Sequence, residues 1–184
     1  MTSEKSNDSL EMPVFDGPVK LLIVVAPYFK DITDSLLAGA QNAINAAGAG
    51  FDTVQIPGVL EIPAAIAIAQ RTSNFDGYVA LGCVLTGDDL QAKNIGDDSA
   101  AGLSQLGLGG ICIGNGLLIA QKADQALRLA DPAGQNKGGA AAIAALHLVA
   151  LSRKWGRETK GIGFKPKSGE FLMADSPDSG PKTA

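Results

Sequence analysis

The run Leu21-Leu22-Ile23-Val24-Val25-Ala26 is apolar at every position. Unbroken apolarity over six residues, rather than alternation, fits a parallel strand covered on both faces. Three further β-like runs follow: Phe51 to Ile56, ended by Pro57-Gly58; Tyr78-Val79-Ala80-Leu81-Gly82-Cys83-Val84-Leu85; and Gly110-Ile111-Cys112-Ile113-Gly114, closed by Asn115-Gly116. Helical patterns separate them. Asp34 precedes Ser35-Leu36-Leu37-Ala38-Gly39-Ala40, which predicts a helix to about Ala47, stopped at Gly48. Glu61 to Arg71 reads as a helix that tolerates Pro63 because it falls in the first turn. A short helix is expected over Ser99 to Leu106, then helices over Ala123–Ala130 and Gly139–Lys154.

Strand–helix alternation with short links implies right-handed crossovers. The predicted class is α/β: a three-layer α/β/α sandwich on a four-stranded parallel sheet, flavodoxin-like. Ligands in such folds sit beyond the carboxyl ends of the strands. Those ends are Ala26-Pro27-Tyr28-Phe29, Pro57-Gly58-Val59-Leu60-Glu61, Leu85-Thr86-Gly87-Asp88-Asp89 and Asn115-Gly116.

Composition agrees. The 184 residues are 46% hydrophobic, 5% aromatic and 18% charged, so Ala, Leu, Ile and Val carry the core. A single folded unit is expected over residues 18–155. A flexible N-terminal arm, 1–17, docks through Val14 and Phe15. A disordered C-terminal tail, 156–184, touches a surface at most through Phe164 or Phe171-Leu172. Net charge is −4, without the basic footprint that nucleic-acid backbones require. Apolar runs are too short for a membrane span, and Met1 to Asp16 lacks the apolar region of a secretory signal. Cys83 and Cys112 lie in strand-like runs, the expected place for buried thiols in a reducing, cytoplasmic setting. One histidine, His147, excludes histidine-rich metal sites.

No GxGxxG opens a helix after the first strand, and P-loop, CxxC and HExxH motifs are absent. The strand ends carry a more specific pattern. Asp34-Ser35-Leu36-Leu37-Ala38-Gly39-Ala40, Pro57-Gly58-Val59-Leu60-Glu61-Ile62-Pro63, Ala80-Leu81-Gly82-Cys83-Val84-Leu85-Thr86-Gly87, Ile113-Gly114-Asn115-Gly116-Leu117-Leu118, Asp124-Gln125-Ala126 and Asn136-Lys137-Gly138-Gly139 follow in order. Together they resemble the 6,7-dimethyl-8-ribityllumazine synthase family over residues 18–156. The resemblance implies joining 5-amino-6-ribitylamino-uracil to 3,4-dihydroxy-2-butanone 4-phosphate, with loss of phosphate and water and without metal or cofactor. It also implies homo-oligomers, pentamers or multiples of them, with sites between neighbouring subunits. An aromatic after the first strand stacks on the ring, and the PGxxE segment holds ring and ribityl chain. A Gly-x-Thr pair and an Arg take the phosphate, and a His after the third strand moves protons.

Carried over position by position, the ligand-binding set is Tyr28, Val59, Leu60, Glu61, Val84, Leu85 and Asn115. The chain departs from the family's Arg-Phe-Asn/Tyr after the first strand, where it has Pro27-Tyr28-Phe29, although the Tyr28 ring can still stack. It departs further at other positions. Gln91 stands at the catalytic His position and has no useful pKa; losing one general acid–base group costs about 10²–10⁴ in rate. The phosphate position holds Asp88 and Asp89, Leu129 replaces the Arg, and Lys137 remains as a cation. A carboxylate about 5 Å from a unit of phosphate charge repels it by about 3 kcal/mol at an effective dielectric near 20. The leading expectation is therefore a family member with impaired or lost catalysis, kept for assembly or for a lumazine- or flavin-like ligand. The rival is an active synthase that uses Lys137. A third reading is a new enzyme with Asp88, Asp89 and Lys93 around an unphosphorylated substrate.

Blander readings stand beside these. His147 lies mid-helix and reads as structural or interfacial, Cys83 and Cys112 as packed thiols, and Tyr28 and Phe29 as core or interface aromatics. Asp88, Asp89, Asp97 and Asp98 read as a solvated loop or a cation site, and Glu61 as a helix cap or a ligand contact. Arg153, Lys154 and Arg157 suit a helix C-terminus and need no partner.

Overall fold

The computed structural model describes residues 10–156. Its elements are β1 (Lys20–Val25), α1 (Lys30–Ala46), β2 (Gly50–Gln55), α2 (Glu61–Thr72), β3 (Gly77–Leu85), α3 (Leu90–Leu108), β4 (Ile113–Ala120), α4 (Ala123–Ala130) and α5 (Lys137–Trp155). The four strands are all parallel, in the order β2-β1-β3-β4. The predicted three-layer sandwich is present. In β1, Leu21, Ile23 and Val25 face a core shared with α1, α4 and α5, while Leu22 and Val24 face a core shared with α2 and α3. Period-two alternation thus splits a continuously apolar strand between two buried faces.

β2 differs. Only Phe51 in this edge strand is even half-buried, and its other five residues are exposed. Its polar residues Asp52, Thr53 and Gln55 suit an uncovered position.

Two elements depart from the sequence reading. The expected strand over 110–114 is displaced: β4 runs through Asn115-Gly116 to Ala120, so those residues do not close it. Gly116, read as part of the closing turn, is a strand residue under Leu81, where a Cβ would lie 2.7 Å from Cδ2. Gly114, a strand residue as expected, lets the α5 backbone approach, and a Cβ there would overlap the carbonyl of Ala141. The expected helix over 99–106 begins nine residues earlier, at Leu90. Asp89 starts it, its carboxylate accepting the Gln91 N–H at 2.8 Å. Gly96, a breaker in sequence terms, sits on the α3 face against Ile119. Smaller shifts put the start of α1 at Lys30 and that of α5 at Lys137, after Asn136, whose side chain accepts the Gly139 N–H at 3.0 Å.

The arm departs in part. Phe15 packs on the core, but Val14 is 92% exposed. Arg153, expected to need no partner, fastens the arm: its guanidinium donates to the carbonyl of Pro18 at 2.7 Å, pairs with Asp76 at 2.7 Å and covers the Phe15 ring. Arg157, Phe164, Phe171-Leu172 and the expected disordered tail beyond Gly156 lie outside the described residues.

Candidate functional site

The chain leaves β1 to form β2 on one side and returns to form β3 on the other. The carboxyl ends of β1 and β3 are therefore a topological switch point, where open α/β sheets leave a crevice. An inner cavity of about 430 Å³ occupies it. Tyr28 and Phe29 come from the turn after β1, Gly58 and Val59 from the turn after β2, Cys83, Val84 and Leu85 from the end of β3, and Ala92 and Ile95 from α3. Its walls are mainly apolar, as a flat heterocycle requires. Tyr28 is 79% exposed and meets Phe29 edge to face, with centroids 4.9 Å apart. This leaves the Tyr28 ring open to solvent at the mouth. Beneath it, Val59 packs onto Gly82, where an added Cβ would lie 2.8 Å from Val59 Cγ1.

An outer cavity of about 490 Å³ adjoins it, and Asp89 lines both. Thr86, Gly87, Asp88, Lys93, Gln121 and Gln125 contribute to the outer one. Among the described residues, Lys93 is its only cationic lining residue, and its ammonium is paired with Asp97 at 2.8 Å. The Asp89 carboxylate spends one oxygen on the α3 amide of Gln91, so the helix terminus that would attract an anion already holds one. Asp97 is thus paired and Asp89 is a cap. Among the described residues, no group of three or more His, Cys, Asp or Glu side chains is placed to hold a metal ion.

Tyr28, Val59, Val84 and Leu85 come together as the sequence reading expects. Leu60 and Glu61 stand outside the inner cavity's lining, at the start of α2. Leu60 is 46% exposed, and the Glu61 carboxylate folds over Gly58, where a Cβ would lie 2.8 Å from Oε2. Asn115 does not belong with them. It pairs with Ala80 inside the sheet, and its side chain accepts the Leu117 N–H at 2.9 Å. It lies five residues short of Ala120, the carboxyl end of β4, or about 16 Å at strand rise. Gln91 is exposed and lines neither cavity. Leu129 turns inward and packs on the core beside α1, so no side chain from that position reaches either cavity. Lys137 is exposed at the start of α5, also outside both.

Ala92 and Ile95 are lining residues that the sequence reading missed, because it takes 90–98 as loop. Their spacing of three, with Ser99 four further on, is the helical signal that Gly96 and the paired aspartates obscure. Cys83 lines the cavity as a buried thiol, and burial pushes its pKa up to about 11, away from nucleophilic use. Burial likewise raises that of Cys112. The ring of His147 reaches a separate surface groove beside Leu10, and its Nε2 is buried without a partner among the described residues.

Residues 18–153 match the family model described as 6,7-dimethyl-8-ribityllumazine synthase. A relative of that name from Jannaschia sp. (strain CCS1) is 46% identical over 170 residues, 92% of this chain and 95% of the relative. One from Novosphingobium aromaticivorans is 43% identical over 136 residues, 74% of this chain and 98% of the relative. 6,7-Dimethyl-8-ribityllumazine synthase 1 of Rhizobium meliloti is 40% identical over 147 residues, 77% of this chain and 96% of the relative.

Proposed function

The chain belongs to the 6,7-dimethyl-8-ribityllumazine synthase family, and from that premise we propose that it holds a lumazine- or flavin-like ring in the inner cavity while turnover of the usual substrate pair is impaired or lost. The observation that carries this reading is the contrast within one site. The apolar cavity at the switch point is present, whereas the polar positions around it lack the groups that would hold a phosphate and move protons. Gln91 offers no proton, Leu129 is spent on packing, and Asp89 caps α3 with its own negative charge. Lys93 is neutralised by Asp97. Each change is tolerable alone; together they disfavour a phosphorylated partner.

The test is the synthase assay with both usual substrates, run beside titrations with riboflavin and 6,7-dimethyl-8-ribityllumazine. Ring binding without product above the spontaneous rate is expected. Saturable turnover that is lost on changing Gln91 or Lys137 would overturn the impairment. Gln91→His alone is expected to restore little, since the phosphate position is altered as well; robust recovery would break that argument.

The second reading is an active synthase. Its support is the printed name of relatives that share 46% and 43% identity with this chain. In it, Lys137 and backbone amides take the phosphate, and proton transfer assisted by the substrate replaces the missing His. The assay decides between the two.

Assembly into a pentamer or a multiple of one accompanies either reading. The uncovered β2 strand and exposed Leu60, Ile68, Leu90 and Leu108 are surface that a further copy would bury. Light scattering should give a mass near a multiple of five subunits, and a monomer at micromolar concentration would sink this. Two buried free thiols support a reducing, cytoplasmic setting, and no helix among the described residues is long and apolar enough to cross a membrane.

A further inference from the structure

We propose that Ser99 is a positioning residue that sets the width of the inner cavity by tying its α3 wall to its Gly58–Val59 wall. Ser99 is 1% exposed, and its hydroxyl donates to the carbonyl oxygen of Val59 at 2.7 Å, across 40 positions of sequence. Helical hydroxyls usually bond back to their own helix. Ser35, Thr72 and Ser104 do so here, each to the carbonyl four residues before it. Ser99 reaches instead into another element.

Both ends of this bond bear on the cavity. On α3, Ala92, Ile95 and Ser99 recur on one face; the first two line the cavity, and Ser99 lies one turn further along the helix. At the other end, the Val59 carbonyl also accepts the Ile62 N–H at 3.2 Å, so the same oxygen anchors the first turn of α2. The Val59 side chain rests on Gly82 of β3. β3 therefore holds Val59 from below and Ser99 holds it from the side. The next approach of α3 to α2 is apolar: Gly102 against Pro63, where a Cβ would lie 3.0 Å from Cγ. It lies away from the cavity lining. The inference rests on the ring occupying the inner cavity, as proposed above.

Riboflavin and 6,7-dimethyl-8-ribityllumazine are titrated by fluorescence into the full chain and into Ser99→Ala, Ser99→Cys and Gly102→Ala. Loss of one buried hydrogen bond at a cavity wall is expected to weaken ring binding about tenfold in Ser99→Ala and to lower the anisotropy of the bound ring. Ser99→Cys, close in size but a weaker donor, should fall between it and wild type. Gly102→Ala should lower the melting temperature yet leave affinity within about twofold, because that contact does not touch Val59. Ser99→Ala binding like wild type, or Gly102→Ala losing as much affinity, would overturn the proposal. Amide exchange separates the two readings: Ile62 N–H should exchange faster in Ser99→Ala whether or not ligand is present. If wild type binds neither ring, the functional reading falls, and unchanged Ile62 protection would bring down the Ser99 tie as well.

Discussion

The inner cavity rests on side chains the fold cannot release: Val59 and Val84 are each 7% exposed and Cys83 3%. The outer cavity, sharing only Asp89 with it, is walled by Asp88, Lys93, Gln121 and Gln125, all exposed. A change in the first set disturbs a packed core, whereas a change in the second usually costs little stability. Polar chemistry at such a rim can therefore drift while the apolar floor stays put. That is the pattern the proposed reading predicts, in which apolar walls outlast the polar groups around them.

The comparison breaks most readily at Gly82. Gly82→Val drives side-chain atoms into Val59 and Leu117 and is expected to cost about 3 kcal/mol and to abolish ring binding, read by urea midpoint and riboflavin titration. Tyr28→Ala should cost about 1.5 kcal/mol of ring affinity, roughly tenfold, with an unchanged urea midpoint because the side chain is 79% exposed. Unchanged affinity would remove Tyr28 from the site. At the rim, Asp89→Ala loses a helix cap and should lower stability by about 1 kcal/mol with little effect on ring affinity; Asp89→Asn should keep the cap. A larger loss of ring affinity there than in Tyr28→Ala would move the ring to the outer cavity.

A further expected effect is on pH dependence. The folded Cys83 thiol titrates at about 11, above an ordinary thiol, so the folded state holds its proton where the unfolded chain releases it. Its contribution is intact below about pH 8.5, the ordinary thiol value, and falls as pH rises toward 11. Thermal melts at pH 8 and 10 should differ less in Cys83→Ser than in wild type.

How much of this was legible in the sequence follows the same division. β1 and β3 could be read because burial on both faces demands apolar residues without a break. β4 could be read only at its start, because Asn115-Gly116 looks like a turn; the reason Gly116 is glycine is tertiary, the close approach of Leu81 and of α5. The first half of α3 was hidden for a related reason. Gly96 meets Ile119 and Asp97 pairs with Lys93, neither of which leaves an amphipathic stripe. From that one missed helix came the omission of Ala92 and Ile95, and from the misplaced β4 the wrong location of Asn115. Tyr28 and Val59 lie just beyond β1 and β2, and Val84 and Leu85 end β3, so their places could be read from strands whose ends the sequence locates.

The guanidinium of Arg153 reaches back 135 residues to the carbonyl of Pro18, and on the way it engages Asp76, whose other carboxylate oxygen accepts the Lys20 N–H. A ribosome delivers these groups in the opposite order from their need. The first strand emerges early, but the side chain that fastens its approach arrives with the last helix. Residues 10–18 therefore stay loose through most of synthesis and are tied down only when α5 docks. A nascent chain halted before residue 153 should leave residues 10–18 open to protease, although β1, β2 and β3 are already made.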